Sequence, residues 1–130
     1  MANRAPKPPA PTESAEQIAL FQWAAWNERA MPELELLHHI PNGGQRNKAT
    51  AARLRAEGVK AGVPDLCLPV SRGGYHGLYI ELKRTRGSTT TDGQEKWIAA
   101  LEREGYKAVV CYGWEAAAKV ISEYLKEGRK

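Results

Sequence analysis

Apolar side chains recur at helical spacing through Ile18, Leu20, Phe21, Trp23 and Trp26, which predicts a buried first helix. Ser14-Ala15-Glu16-Gln17 has the form of a capping box and sets the start of that helix, and of order in the chain, near Ser14. Residues 34–40 read as a strand, ended by the turn signal Pro41-Asn42-Gly43-Gly44. A second helix is expected over 47–57, with Gly58 just past its end. Residues 65–70 and 77–83 read as two strands, joined through Ser71-Arg72-Gly73-Gly74-Tyr75-His76, whose glycines suit a hairpin loop. Helical spacing returns over 91–104, with Gln94, Trp97, Ile98 and Leu101 on one face and Gly105 as the stop. Residues 107–112 form an apolar strand pattern, and 114–126 an amphipathic helix through Ala117, Val120, Ile121 and Tyr124. The order is helix, strand, helix, hairpin, helix, strand, helix, with no internal repeat. It predicts an α/β fold, a mixed central sheet flanked by helices.

A chain of 130 residues suits one domain, expected over 14–126 between a flexible proline-rich tail, 1–13, and a short C-terminal tail, 127–130. Hydrophobic residues at 42% and charged residues at 26% are ordinary for a soluble domain. No apolar run approaches the roughly 18 residues a membrane span needs, and the N-terminus lacks a signal-peptide core. A cytoplasmic setting without membrane contact is the expectation. Cys67 and Cys111 sit singly in apolar runs without zinc-site spacing, so both are expected buried, reduced and structural. The net charge of +4 favours a polyanionic partner.

Strand alternation changes this general picture. Tyr79, Glu81 and Lys83 project to one side of their strand, and Leu78, Ile80 and Leu82 to the other. A hairpin pairing with i + j near 146 or 147 sets Asp65 opposite Glu81 or its neighbour, and the even sum that turns both carboxylates to the same side implies a bulge or an odd loop between the strands. Opposed residues have Cβ atoms about 4.5 to 5.5 Å apart, near enough for two carboxylates to share one cation. Hard Mg²⁺ or Mn²⁺ suits such oxygen ligands together with phosphate and water. Lys83 beside them is placed to orient an attacking water or to stabilise charge on a phosphate. The arrangement fits phosphodiester hydrolysis. Each residue also has an ordinary use: Asp65 in a turn, Glu81 and Lys83 on a solvated edge, Glu16 against a helix dipole, Gln94 in a capping box with Thr91. The His38-His39 pair lacks a third ligand and reads as structural.

Pro64-Asp65, a hairpin-length gap and Glu81-Leu82-Lys83 form the signature of PD-(D/E)xK nucleases. The surroundings narrow it: an early helical Glu16, the run from His39 to Gly44, the run from Gly58 through Pro64-Asp65 to Leu66, Tyr79 to Lys83, and Gln94 with Trp97. Together, over 14–125, these resemble the VRR-NUC domain, the virus-type replication-repair nuclease. The resemblance implies a restriction-endonuclease-like fold. It also implies a metal held by Asp65, Glu81, Glu16 and the Leu82 backbone carbonyl, with Lys83 as catalytic lysine and Gln94 as support. Mg²⁺ is the expected cofactor, with Mn²⁺ accepted.

The basic residues Arg46, Lys48, Arg53, Arg55, Lys60, Arg84 and Arg86, together with Asn42, are expected to meet DNA. The expected activity is an endodeoxyribonuclease of DNA repair in a bacterial or phage setting, acting as a homodimer on branched DNA and above all on four-way junctions. A sequence-specific restriction-like nuclease and an inert DNA-binding module are the alternatives. Trp23, Trp26, Trp97 and Trp114 are candidates for the dimer face or for core packing.

Overall fold

The computed structural model describes residues 8–42 and 47–128. Helix α1 spans Glu13–Asn27 and is followed by a 3₁₀ segment, Pro32–Leu36, and a two-residue strand β1, His38–His39. Helix α2, Lys48–Ala56, leads to β2, Leu66–Leu68, and β3, Leu78–Lys83. Helix α3, Asp92–Arg103, connects to β4, Lys107–Tyr112, and α4, Trp114–Lys126, completes the described chain. The expected α/β architecture is present.

The sheet runs in the order β1-β2-β3-β4. The first two pairings are antiparallel and β3 with β4 is parallel, with α3 as the crossover. Leu66 faces Ile80, Cys67 faces Tyr79 and Leu68 faces Leu78. The nine residues 69–77 separate the two strands, the odd loop that this register demands, and one further step sets Asp65 across from Glu81. Leu78, Ile80 and Leu82 are each no more than 1% exposed. They pack in one cluster with Leu20 and Ala24 of α1 and Ala117 and Ile121 of α4. Burying a side chain of that size contributes about 1.5 to 3 kcal/mol, so this apolar side of β3 anchors the strand firmly.

Three expectations change. Residues 34–40 do not form a long strand: a 3₁₀ turn occupies Pro32–Leu36 and only His38–His39 pair with β2. Pro32 lacks an amide donor and its fixed φ suits a first helical turn, while Leu34 and Leu37, three apart, are both buried. The cap of α1 is Thr12, not Ser14: the Thr12 hydroxyl accepts from Ala15 N at 3.0 Å and the helix begins at Glu13. The earlier start brings both Glu13 and Glu16 into the first turn, where the helix dipole favours acidic groups. Ordered structure also extends further back than Ser14, since Ala10 is buried. The rest of the expected tail, 1–7, and the Gly43-Gly44 turn with Arg46 lie outside the described residues.

Candidate active site

Pro64 delivers Asp65 to the head of β2, one residue before strand pairing with β3 begins. Leu82 N–H of β3 is therefore left without a ladder acceptor, and Asp65 Oδ2 accepts from it at 2.9 Å. Asp65 Oδ1 accepts from Asn42 Nδ2 at 3.2 Å. The Asp65 carbonyl accepts from Ile40 N at 2.7 Å and lies 2.9 Å from His39 Nδ1. Both ends of Asp65 are thus held by the strands beside it.

Glu81 projects from the opposite side of β3 to the leucine cluster and is 1% exposed. Its Oε2 accepts from Gln94 Nε2 at 3.2 Å and stands 3.6 Å from Lys83 Nζ, itself buried. Glu81 Oε1 is buried with no hydrogen-bond partner. Burial, and then the neighbouring Asp65 carboxylate, push the Glu81 carboxyl up to about 8, against a smaller opposing pull from Lys83. Burial also raises the Asp65 carboxyl, while the Leu82 N–H opposes the rise. Two buried carboxylates side by side repel when both are ionised, so they call for a proton or a cation between them.

A third carboxylate completes the group. Oxygens of Glu13, Asp65 and Glu81 all lie within 4.8 Å of one another. Glu13 and Asp65 line a small cavity of about 200 Å³ with Ser14, Gln17, His39 and Leu82. Three carboxylate oxygens at this spacing, in a group where Glu81 also keeps one buried oxygen without a partner, are a donor set that suits a hard divalent cation. The residues present therefore fit Mg²⁺ or Mn²⁺.

The structure brings Asp65, Glu81, Lys83 and Gln94 together and sets Leu82 at the cavity lined by Glu13 and Asp65. Glu16 is not among the three carboxylates of this group. It is 4% exposed, and its Oε1 accepts from Trp114 N at 3.0 Å, closing the start of α4, whose own cap Gly113 has no side chain for the task. Glu13, one helical turn earlier on the same face, stands in the carboxylate group instead. A helix start at Ser14, as the capping-box pattern predicts, leaves Glu13 outside the helix, whereas α1 begins at Glu13. The acidic residue one turn before Glu16 was the signal available.

Of the residues expected to meet DNA, Lys48, Arg53, Arg55 and Lys60 are exposed on and just after α2, and Asn42 is on Asp65. Arg84 and Arg86 donate to the carbonyls of Ala10 and Pro8. Trp23 and Trp114 pack against the core, Trp97 lies beside Gly62, and Trp26 is 86% exposed. Cys67 and Cys111 are buried free thiols.

Comparison with protein-family models matches the VRR-NUC domain over residues 12–115. Among solved structures, a VRR-NUC domain protein is 36% identical in sequence, with a TM-score of 0.78 and 94% of each chain covered. No curated protein matches this chain. The family match opens at the residue that caps α1 and closes inside the helix that Glu16 caps, so it takes in every element that builds the site: the chain belongs to the VRR-NUC family of nuclease domains.

Proposed function

We propose that this nuclease is a divalent-metal-dependent endodeoxyribonuclease that hydrolyses phosphodiesters in branched DNA, four-way junctions above all, as a homodimer. The observation that carries the metal dependence is the set of three carboxylates, Glu13, Asp65 and Glu81, with Lys83 against one of them. When bound, Mg²⁺ or Mn²⁺ supplies Lewis-acid polarisation of the phosphodiester and makes water more acidic. Asp65, Glu81 and Glu13 hold that cation. Lys83, kept in place by its buried ion pair with Glu81, orients the attacking water and stabilises charge on the phosphate oxygens. Gln94 holds the Glu81 carboxylate at a fixed angle.

The exposed cations Lys48, Arg53, Arg55 and Lys60 supply phosphate contacts, in keeping with the net charge of +4. Among the described residues no helix is long and apolar enough to cross a membrane, and a cytoplasmic place of work suits a DNA substrate and two free thiols.

One active site cuts one strand, whereas resolving a four-way junction takes two symmetric cuts. Two-fold dimers are the commonest homo-oligomers and meet that need with the least protein. On α1, Ile18 and Trp26 are 58% and 86% exposed, beside a groove lined by Gln17, Ile18, Phe21, Gln22 and Ala25. That apolar face supports the dimer reading. The test sets cleavage of a four-way junction beside a linear duplex of the same sequence, with Mg²⁺ and with a chelator, and measures sedimentation of the protein alone and on the junction. Cutting that persists in chelator refutes the metal dependence. A monomer that cuts both substrates equally fast refutes the junction and dimer assignments.

A further inference from the structure

The arm that precedes α1 runs along the loop that follows β3, and the two meet at three points. Arg86 Nη2 donates to the Pro8 carbonyl, Arg84 Nη2 donates to the Ala10 carbonyl at 2.9 Å, and Ser88 Oγ donates to Glu13 Oε2 at 3.2 Å. Pro8, Pro9 and Pro11 have carbonyls but no amide hydrogens, so this arm accepts hydrogen bonds without joining a sheet. Guanidinium donors suit it. Ala10 is 7% exposed, bedded against the fold although it sits among prolines. Arg84 Nε is buried as well, turned away from the solvent through which a phosphate arrives.

The arm ends at the residue that the metal centre needs. Glu13 is the first residue of α1, and the first turn of a helix frays unless it is tied down. The loop that ties it springs from Lys83, the last residue of β3, so one short segment links the strand bearing Glu81 to the helix bearing Glu13. We propose that Arg84 and Ser88 are positioning residues that clasp the N-terminal arm and so seat the Glu13 carboxylate beside Asp65 and Glu81. The inference rests on the metal-centre reading above and assigns Arg84 to the arm and not to DNA.

The test uses the full chain with Arg84→Ala, Ser88→Ala, Ser88→Thr and, as control, Asp65→Asn. Mn²⁺ affinity is measured by titration calorimetry, DNA binding as a function of salt, and melting temperature alongside. Arg84→Ala and Ser88→Ala are expected to weaken Mn²⁺ binding by about tenfold or more, the scale of lost ligand support, and Ser88→Thr to restore it through the retained hydroxyl. The salt slope of DNA binding is expected to stay unchanged in Arg84→Ala. Native Mn²⁺ affinity in Arg84→Ala, with a salt slope lower by about 0.9, overturns the proposal and makes Arg84 a phosphate contact. A lower melting temperature with native Mn²⁺ affinity overturns it in favour of a purely structural role. If Asp65→Asn binds Mn²⁺ like the native chain, the metal-centre reading itself falls. If Asp65→Asn loses Mn²⁺ and Arg84→Ala does not, the clasp alone fails.

Discussion

The Gln94 side-chain amide donates to Glu81 Oε2 at 3.2 Å while its oxygen accepts from Thr91 N at 2.9 Å. Thr91 returns the favour by accepting from Gln94 N at 3.2 Å, the full capping box of α3. Cap and site support are therefore two ends of one amide: the bond that starts α3 also fixes where the donor to Glu81 stands. Through it the helix on one side of β4 reaches the buried carboxylate of β3.

Substitution at Gln94 separates the two ends. Gln94→Ala loses both, with about 1 kcal/mol of stability from the cap and about a tenfold fall in cleavage. Gln94→Glu keeps the reach back to Thr91 N but sets another carboxylate against Glu81, so melting temperature holds and cleavage falls further. Melting curves and cleavage rates for the pair decide it. Equal losses of stability in both variants contradict the dual role.

Asp65→Asn and Glu81→Gln remove a ligand charge at nearly constant volume, so cleavage is expected to drop by roughly 10³-fold or more with the fold and DNA binding retained. Lys83→Ala is expected to lose comparable turnover while binding Mn²⁺ as the native chain does. Titration calorimetry beside single-turnover cleavage separates these roles. If metal affinity in Lys83→Ala falls in step with turnover, Lys83 does more than act on water and phosphate.

Stability depends on pH with a definite sign. The Glu81 carboxyl is pushed up from its ordinary 4.5 to about 8, so between these values the folded chain holds a proton that the unfolded chain has released. For this group stability is fully present below about 4.5 and is lost as pH rises through about 8. Divalent cation takes the proton's place, so the stabilisation by Mg²⁺ is expected to grow across the same window. Melting temperatures at both ends of the window, with Mg²⁺ or with chelator, read this directly, and Glu81→Gln is expected to flatten the chelator curve. A chelator curve in the native chain as flat as that of Glu81→Gln is the contrary result.

Gly62 sets the distance between the segment before β2 and the start of α3. Its φ of +87° disfavours a side chain, and a Cβ there would meet Gly93 backbone atoms at 2.9 Å. Gly62→Ala is expected to cost about 1 to 3 kcal/mol and to push Gln94 away from Glu81. Chemical denaturation and cleavage assays are both expected to register the change. Stability within about 0.5 kcal/mol of native, the range of an unremarkable surface change, argues against this packing.

The dimer reading predicts that Trp26→Glu weakens self-association by about 30-fold or more, the effect of losing a tryptophan hot spot of about 2 kcal/mol. Nicking of linear DNA is expected to survive and paired junction cutting to fail. Sedimentation and product analysis on one junction reveal both effects. Unchanged self-association places the interface on another face.

Features that depend on near neighbours in the chain are legible in the amino-acid order alone. Alternation along Leu78–Lys83 alone puts Glu81 and Lys83 on one face and the leucine cluster on the other. The bounds of β4 and α4 followed in the same way from local apolar periodicity. The hairpin register is different: local pattern leaves i + j open between 146 and 147, and the nine residues 69–77 between β2 and β3 settle the even sum. Which of Glu13 and Glu16 joins the carboxylate group depends on the fold, because residues three apart share a helix face and either suits a first turn. What separates them is the partner each meets: the bare start of α4 takes Glu16, and the converging ends of β2 and β3 take Glu13. Arg84 shows the same division. Its charge is plain in the sequence, but its acceptor, the Ala10 carbonyl, lies 74 positions away in the chain, and a contact so distant in sequence exists only once the sheet has brought the two segments together.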